Sequence, residues 1–259
     1  LGLIDRAGGR RYLFDATPAI TEQLAMLDAI EPPQEGLGID GIFLTHAHIG
    51  HYLGLAYLGR EAAGAKNVPV YAMPRMAEFL RTSGPWSQLV ELENIQITEL
   101  KPKQGFDIWN GFLVASSPVP HRDEYSETTG YNLFVPLQSG TLQWMVGYFP
   151  DFDTWEGWRQ ANNNIEMGEY LSYLRYFFVD ATFYDDNEIP GRDMSEIPHP
   201  RVTETMELLK DLPPEQRAKV HFIHYNHTNP IRDPESAESK DVLARGFNIA
   251  RRGDRFCLD

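Results

Sequence analysis

The sequence predicts an α/β fold built on mixed sheet, and three observations support this prediction. Short apolar runs bounded by turn residues recur along the 259-residue chain and are typical of buried strands. Segments with a helical spacing of apolar residues lie between these runs, and alternating strands and helices indicate a layered α/β domain. The opening segment LGLIDRAGGRRYLFDA reads as two strands joined by a glycine turn, which adds a hairpin-like pair to the predicted sheet.

The elements follow from these patterns in chain order. Apolar runs predict strands at residues 12–14, 41–44, 68–72, 112–115, 131–135, 142–148, 176–179 and 220–224. Helical spacing predicts helices at residues 20–30, 52–63, 76–81, 165–174 and 202–209. Polar side chains that follow the strands are therefore expected to gather along one edge of the sheet.

The chain is expected to form a single domain over residues 1–259. Its hydrophobic content of 42% is enough to bury a large core. The proline-rich patches at residues 31–33 and 212–214 are only a few residues long, which favours turns within a domain over a linker. The chain begins without an initiator methionine, so we expect that N-terminal residues are missing, and the cellular compartment stays open.

Composition narrows the partners and the type of metal site. The formal net charge of -14 disfavours a long nucleic acid, because binding one requires a basic surface, and indicates a small-molecule substrate. No stretch approaches the roughly 20 apolar residues of a membrane span. Cys257 is the single cysteine, so any metal must be held by nitrogen and oxygen ligands. The sequence does not indicate the oligomeric state.

The segment GIFLTHAHIGHYLGL carries the strongest chemical signal. Its apolar run stops at Thr45, and a helical pattern starts directly after His51, so His46, His48 and His51 occupy a strand-to-helix turn. A lone histidine at such a turn is usually a cap or a packed side chain. Three within six residues are hard to explain by packing, because each buried imidazole needs partners. The cluster therefore predicts a metal site.

The spacing of HAHIGH resembles the His-x-His-x-Asp-His signature of the metallo-β-lactamase superfamily, and four further segments resemble companion motifs in the family's order. RYLFDATP ends a strand at Asp15, whose family counterpart orients the histidine turn. SSPVPHRDEYSETTGYNLF supplies His121, WMVGYFPDF supplies Asp151, and HFIHYNHTNP supplies His224. The resemblance covers nearly the whole chain and implies a four-layer αββα sandwich with mixed sheets and metals at one edge.

The later motifs narrow the resemblance to one branch. FFVDATFYDDNE followed by SEIPHP is similar to the ribonuclease Z and phosphodiesterase branch, and within it to the pyrroloquinoline quinone synthesis protein B group. This resemblance implies a carboxylate–histidine pair formed by Asp180 and His199. The carboxylate would orient the imidazole, and the imidazolium could protonate a leaving oxygen. The alternative is a strand-end turn former at Asp180 and a surface residue at His199.

The resemblance also implies a set of metal ligands. The first ion would be held by His46, His48 and His121, and the second by His51 and His224, with Asp151 bridging the two. Gly50 replaces the aspartate of the family signature, so the second ion loses a ligand and should bind more weakly or be absent. The expected cofactor is one or two zinc ions, with iron or manganese as alternatives.

Other residues near these motifs have less specific interpretations. His227 lies in a segment that predicts a turn, so it is either a replacement ligand or, as we favour, a loop residue. His221 is interpreted as structural. Asp123, Glu124 and Glu127 form an acidic run that is typical of a solvated loop.

Three functions are compatible with the sequence. The leading hypothesis is a metal-dependent hydrolase that acts on a small ester-like or phosphodiester substrate through a metal-activated water. A small anionic substrate remains compatible with the acidic chain, because metal ions dominate the local field. The alternatives are an iron-dependent oxygenase related to pyrroloquinoline quinone biosynthesis and a non-enzymatic metal-binding protein whose second site has decayed.

Overall fold

The computed structural model describes residues 1–136 and 142–258, with Trp144 described by its backbone alone. The described chain forms two compact units. Unit 1 comprises Leu1–Pro102 and Asp123–Thr128, and unit 2 comprises Lys103–Arg122 and Thr129–Asp259. Each unit contains one mixed sheet and its own helices, so the α/β prediction is confirmed. The prediction of a single domain stays a prediction.

Unit 1 is built on a five-stranded sheet. In spatial order its strands are β1 (Gly2–Asp5), β2 (Arg10–Phe14), β3 (Gly41–Phe43), β4 (Val68–Ala72) and β5 (Ile95–Glu99). The first pair is antiparallel, as the glycine turn predicted, and the remaining pairs are parallel. Its helices are α1 (Ile20–Ile30), α2 (Ile49–Tyr52), α3 (Pro74–Thr82) and α4 (Trp86–Glu91), with a 3-10 helix at Leu53–Leu58.

Unit 2 is built on a seven-stranded sheet. Its strands are β6 (Gly105–Trp109), β7 (Phe112–Val119), β8 (Thr128–Pro136), β9 (Leu142–Phe149), β10 (Tyr176–Asp180), β11 (Val220–Ile223) and β12 (Asn248–Ile249), and they neighbour one another in this order. The run from β9 to β12 is parallel, whereas β6–β7 and β8–β9 are antiparallel. Its helices are α5 (Trp155–Ala161), α6 (Met167–Tyr173), α7 (Val202–Leu208), α8 (Pro214–Arg217) and α9 (Ala237–Ala244), with 3-10 turns at Met194–Glu196 and Pro230–Arg232.

Each unit has its own hydrophobic core. In unit 1, strand residues such as Ile42 and Val70 pack with Leu55 and Met76, and all four side chains are inaccessible to solvent. In unit 2 the core is aromatic: the Trp158 ring packs edge-to-face against Phe149 and Tyr170. Such cores give each sheet a rigid base, so the loops at the strand ends can hold side chains in fixed positions. Among the described residues, no helix is both long enough and apolar enough to cross a membrane.

The predicted helix at residues 52–63 is wrong in its extent. The structure has the short helix α2, which begins at Ile49 before His51, followed by the 3-10 helix and then turns. Gly54 explains part of this difference. A β-carbon at Gly54 would lie 2.4 Å from the carbonyl oxygen of Thr17, so the backbone of this segment approaches the chain after β2 very closely.

His221 on β11 is a packed core residue, as its structural interpretation implies. Its ring contacts those of Tyr176, Phe178 and Phe256, with centroids 4.8 to 5.8 Å away. Burial lowers the pKa of the imidazole to about 4, although the charge of Asp254 partly opposes this shift. His221 is therefore neutral in the folded protein at neutral pH.

This burial predicts a pH-dependent loss of stability. The unfolded chain protonates His221 near pH 6.5 and the folded chain only near pH 4, so the free energy of unfolding should fall as the pH drops between these values. The contribution is at most about 3 kcal/mol. Denaturant unfolding at pH 7.5 and pH 5 should show a smaller pH effect in His221→Phe than in the wild type. Equal pH dependence of the two proteins would contradict the prediction.

Candidate metal centre

The histidine turn of unit 1 is organised by the buried carboxylate of Asp15, which directly follows β2 and is 2% exposed. One carboxylate oxygen accepts hydrogen bonds from the backbone N–H and the hydroxyl of Thr45, at 2.9 and 2.8 Å. The other lies 2.8 Å from Nδ1 of His51. A histidine that donates Nδ1–H to a carboxylate presents Nε2 as its ligand atom. The structure thus places Asp15 where it orients the histidine turn.

His46 and His48 face each other in the same turn, with Nε2 of His46 2.8 Å from Nδ1 of His48. Nδ1 of His46 contacts the Thr45 hydroxyl at 3.0 Å, and Nε2 of His48 contacts Oε2 of Glu124 at 3.1 Å. When these outer contacts take the N–H hydrogens, the two facing nitrogens both present lone pairs. A bound cation would remove this repulsion, so the donor chemistry fits a metal ion.

In unit 2, two carboxylates of one loop flank the imidazole of His121, whose side chain is fully buried. Nδ1 lies 2.9 Å from Oδ1 of Asp153, and Nε2 lies 3.2 Å from Oδ1 of Asp151. With Nδ1–H donated to Asp153, a lone pair on Nε2 faces a carboxylate oxygen. Ligand atoms about 2.0 Å from one tetrahedral zinc lie roughly 3.3 Å apart, so this spacing fits two ligands of the same ion.

The second buried carboxylate of unit 2 is Asp180, which ends β10 and is 0% exposed. Its Oδ1 accepts the backbone N–H and the hydroxyl of Thr182, at 2.8 and 2.7 Å. Its Oδ2 lies 2.9 Å from Nδ1 of His199, which also lies 3.2 Å from Oδ1 of Asp151. The structure therefore forms the carboxylate–histidine pair that the family resemblance implies, with Asp151 close to the same imidazole nitrogen.

His224 follows β11 and completes this cluster. Its Nδ1 contacts the Thr182 hydroxyl at 3.1 Å, and its Nε2 lies 3.8 Å from Oδ2 of Asp151. Its backbone φ is 60°, and that of Asp15 in unit 1 is 66°, so both residues adopt the left-handed conformation. This conformation costs a non-glycine residue energy and persists where surrounding contacts hold it. Unit 2 thus brings together all five of its predicted site residues.

Charge states in these clusters follow from burial and neighbouring charges. Burial lowers the pKa of His121 despite the opposing carboxylates, which keeps the imidazole neutral, as a metal ligand must be. Burial also acts to lower the pKa of His199, but Asp180 and Asp151 outweigh it, so that pKa is raised and the imidazolium is favoured. For Asp15, burial acts to raise the pKa, but the His51 charge and hydrogen bonds from His51 and Thr45 hold it below its ordinary value.

A cavity of 520 Å³ in unit 2 adjoins His199. Its walls are Asp153, Thr154, Asp186, Met194, Ser195, Ile197, Pro198, Arg201, Thr203 and Glu204. The buried Arg201 side chain holds the wall in shape, because its guanidinium donates to the carbonyl oxygens of Met194 and His199 at 2.6 and 2.8 Å. The volume suits a small-molecule group beside the imidazole.

The residues with less specific interpretations, His227 and the acidic run of Asp123, Glu124 and Glu127, are not all placed alike. His227 is exposed, its ring bonds to Oδ1 of Asn226 at 2.9 Å, and it belongs to no ligand cluster among the described residues. The interpretation as a loop residue is therefore favoured. Asp123 and Glu127 bond to Arg75, as solvated loop residues do. Glu124, by contrast, contacts a predicted ligand.

Sequence reasoning missed the partners that hold the predicted ligands, namely Thr45, Glu124, Asp153 and Thr182. Only nearness in sequence could have identified these residues. Thr45 directly follows one predicted strand, Thr182 lies three residues after another, and Asp153 lies two residues after Asp151. Hydroxyl and carboxylate groups so close to ligand-type residues are candidates for orienting them. Without side-chain directions, the same residues are equally consistent with ordinary turns.

Comparison with known proteins supports one family. Residues 10–225 match the model of the beta-lactamase superfamily domain. The coenzyme PQQ synthesis protein B of Methylococcus capsulatus is 27% identical over 271 residues, which cover 95% of this chain and 84% of that protein.

Solved structures agree on the fold. Zinc-bound PqqB from Methylobacterium extorquens superimposes with a TM-score of 0.71 at 19% identity, covering 95% of this chain and 83% of that one. A diphosphatase of the PhnP family superimposes with a TM-score of 0.58 at 21% identity, covering 97% and 83%. The chain belongs to the beta-lactamase superfamily and has its α/β metallo-β-lactamase fold, with two mixed sheets flanked by helices.

Proposed function

We propose that the protein is a zinc-dependent hydrolase of small ester-like or phosphodiester substrates. The observation that carries the proposal is the environment of Asp151. Its Oδ1 lies 3.2 Å from Nε2 of His121, a ligand-type nitrogen, and 3.2 Å from Nδ1 of His199, a proton-carrying one. A metal-binding group and a proton donor thus share one carboxylate, as hydrolysis with leaving-group protonation requires.

The proposed ligand assignment follows the family motifs. His46, His48 and His121 would hold the first zinc ion, and His51 and His224 the second, with Asp151 shared between them. Bound zinc supplies Lewis acidity and lowers the pKa of water toward neutrality. Support comes from the geometry within each unit, where Asp15, Glu124 and Asp153 each hold one predicted ligand by its outer nitrogen.

His199 is proposed as the general acid. Asp180 holds its Nδ1, which leaves Nε2 as the nitrogen that can give a proton to a leaving oxygen. The adjoining cavity has room for a leaving group beside this imidazole. The net charge of -14 also favours a small substrate over a long nucleic acid.

A second candidate is an iron-dependent oxygenase with a role in cofactor synthesis. With Gly50 in place of an aspartate, the second proposed ligand set consists of two histidines and one carboxylate. This combination is typical of non-haem iron oxygenases, which keep open coordination positions for oxygen. The similarity to coenzyme PQQ synthesis protein B favours this candidate as well.

Metal content and substrate panels separate the two candidates. The metal-stripped protein should be reloaded with zinc, iron or manganese and assayed against phosphodiesters, carboxylic esters and lactones, with oxygen uptake followed in parallel. We expect zinc-loaded protein to hydrolyse one of these classes and a chelator to abolish the activity. Oxygen uptake confined to the iron form, without hydrolysis by any form, would favour the oxygenase instead.

Gly50 provides a direct test of the second metal ion. The residue is exposed, and a β-carbon there would meet nothing within 4 Å, so a side chain can be added without a clash at its β-carbon. Gly50→Asp should raise the affinity for a second zinc at least about tenfold, because it adds a charged ligand. Gly50→Asn is the matched control and should change the affinity little. Chelator-buffered titrations measure the affinity of each variant for the second zinc. Equal affinities of Gly50→Asp and Gly50→Asn would contradict the proposed second ligand set.

The role of His199 predicts a dependence on the leaving group. An alkoxide needs a proton to depart, whereas nitrophenolate does not, so His199→Gln should lower kcat/KM about 10²–10³-fold only for alkyl esters or diesters. His227→Gln is the matched control, since this histidine is exposed and belongs to no described cluster. The measurement is kcat/KM for paired alkyl and nitrophenyl substrates. Equal losses of kcat/KM on the alkyl and the nitrophenyl substrates would show that His199 is not the general acid.

A further inference from the structure

Two hydrogen-bonded relays of matching construction, each starting from a buried aspartate, hold proposed ligand histidines in the two units. The unit 1 relay is buried throughout, whereas in unit 2 the threonine is half-buried and the histidine is exposed. In unit 1 the relay runs from Asp15 through the Thr45 hydroxyl to Nδ1 of His46, with distances of 2.8 and 3.0 Å. In unit 2 it runs from Asp180 through the Thr182 hydroxyl to Nδ1 of His224, with distances of 2.7 and 3.1 Å. In both, the threonine backbone N–H donates to the same carboxylate oxygen as its hydroxyl.

The direction of hydrogen bonding through each threonine is fixed by proton count. An ionised carboxylate can only accept, so the single hydroxyl hydrogen is donated to the aspartate. The hydroxyl oxygen must then accept from the imidazole, which places the histidine's hydrogen on Nδ1. The neutral ring consequently presents the lone pair of Nε2, the atom that would bind a metal.

The second imidazole on each aspartate does not compete for the hydroxyl. In unit 1, Nδ1 of His51 lies 3.3 Å from the Thr45 hydroxyl but 2.8 Å from Oδ2 of Asp15, so its hydrogen goes to the carboxylate. In unit 2, His199 binds the other oxygen of Asp180 at 2.9 Å. Each aspartate therefore orients one histidine directly and a second through its threonine.

We propose that Thr45 and Thr182 are positioning residues that set the tautomer and orientation of His46 and His224 for metal binding. This inference rests on the zinc centre proposed above. Because His46 belongs to the first ligand set and His224 to the second, the two threonines act on different ions. Loss of the Thr45 hydroxyl should weaken the first zinc, and loss of the Thr182 hydroxyl should weaken the second.

The test compares isosteric and conservative variants of each threonine. Valine keeps the shape and removes the hydroxyl, whereas serine keeps the hydroxyl. Thr45→Val and Thr182→Val should each lower zinc affinity at the corresponding site about tenfold or more, and the serine variants should restore it to within roughly threefold of wild type. Competition with a chromophoric chelator measures both affinities in the full chain.

Thr205→Val is the matched control. Like Thr45, Thr205 is buried, and its hydroxyl accepts a hydrogen bond from the Trp155 indole at 3.0 Å, but none of its hydrogen bonds described in the structure involves a predicted ligand. The zinc affinity of the Thr205→Val variant should equal that of the wild type. Thermal unfolding of the zinc-free proteins identifies any variant that fails to fold, and the serine variants then carry the comparison.

A spectroscopic readout tests the tautomers independently of zinc. Long-range ¹H–¹⁵N spectra of the zinc-free protein should show His46 and His224 protonated at Nδ1, with the valine variants losing this preference. Protonation at Nε2 in the wild type would overturn the inference. Equal zinc affinity of the wild type and the valine variants would also overturn it. A wild type that binds no zinc would refute the proposed function. In that case the tautomer measurement alone would test whether the threonines orient the two histidines.

Discussion

The site depends on two buried carboxylates, Asp15 and Asp180, each placed where a strand ends. Burying an ionised carboxylate is unfavourable unless hydrogen-bond donors surround it. In both cases the donors include a threonine backbone N–H, the hydroxyl of the same threonine and a histidine ring, and Asp180 also accepts the backbone N–H of Phe152 at 3.4 Å. The requirement to satisfy the carboxylate therefore fixes which way the neighbouring imidazoles point, and metal-binding geometry follows from the stability of the fold.

This construction determines which ring nitrogens of the predicted ligands face one another. Orienting His121 through Asp153 directs the Nε2 lone pair at Asp151, and orienting His48 through Glu124 directs Nδ1 at His46. With the outer hydrogen bonds formed in this way, each contact joins two groups that can both act as ligands. A metal ion is one cation that satisfies such a pair, so the hydrogen-bond network is compatible with metal binding.

The sequence predicted the histidine turn after β3 from the spacing of its histidines beside an apolar run. The role of Asp15 after β2 and the pairing of Asp180 with His199 were implied by the family resemblance. The helix at residues 52–63 was wrong because close backbone approach at Gly54 and a 3-10 geometry are tertiary effects that periodicity does not record. Glu124 and Asp153 were not predictable because their roles depend on side-chain direction within loops.

Gly50 occupies the position at which the family signature has an aspartate. Its open surroundings show that packing around the β-carbon position does not demand glycine there. One negative charge fewer makes the second ligand set less attractive to a strongly held dication and leaves more coordination positions for water or substrate. The same relays would orient the same histidines in either case. In the proposed second ligand set, residue 50 therefore determines the number and charge of the carboxylates, and in this respect the ligand sets of the two candidate functions differ.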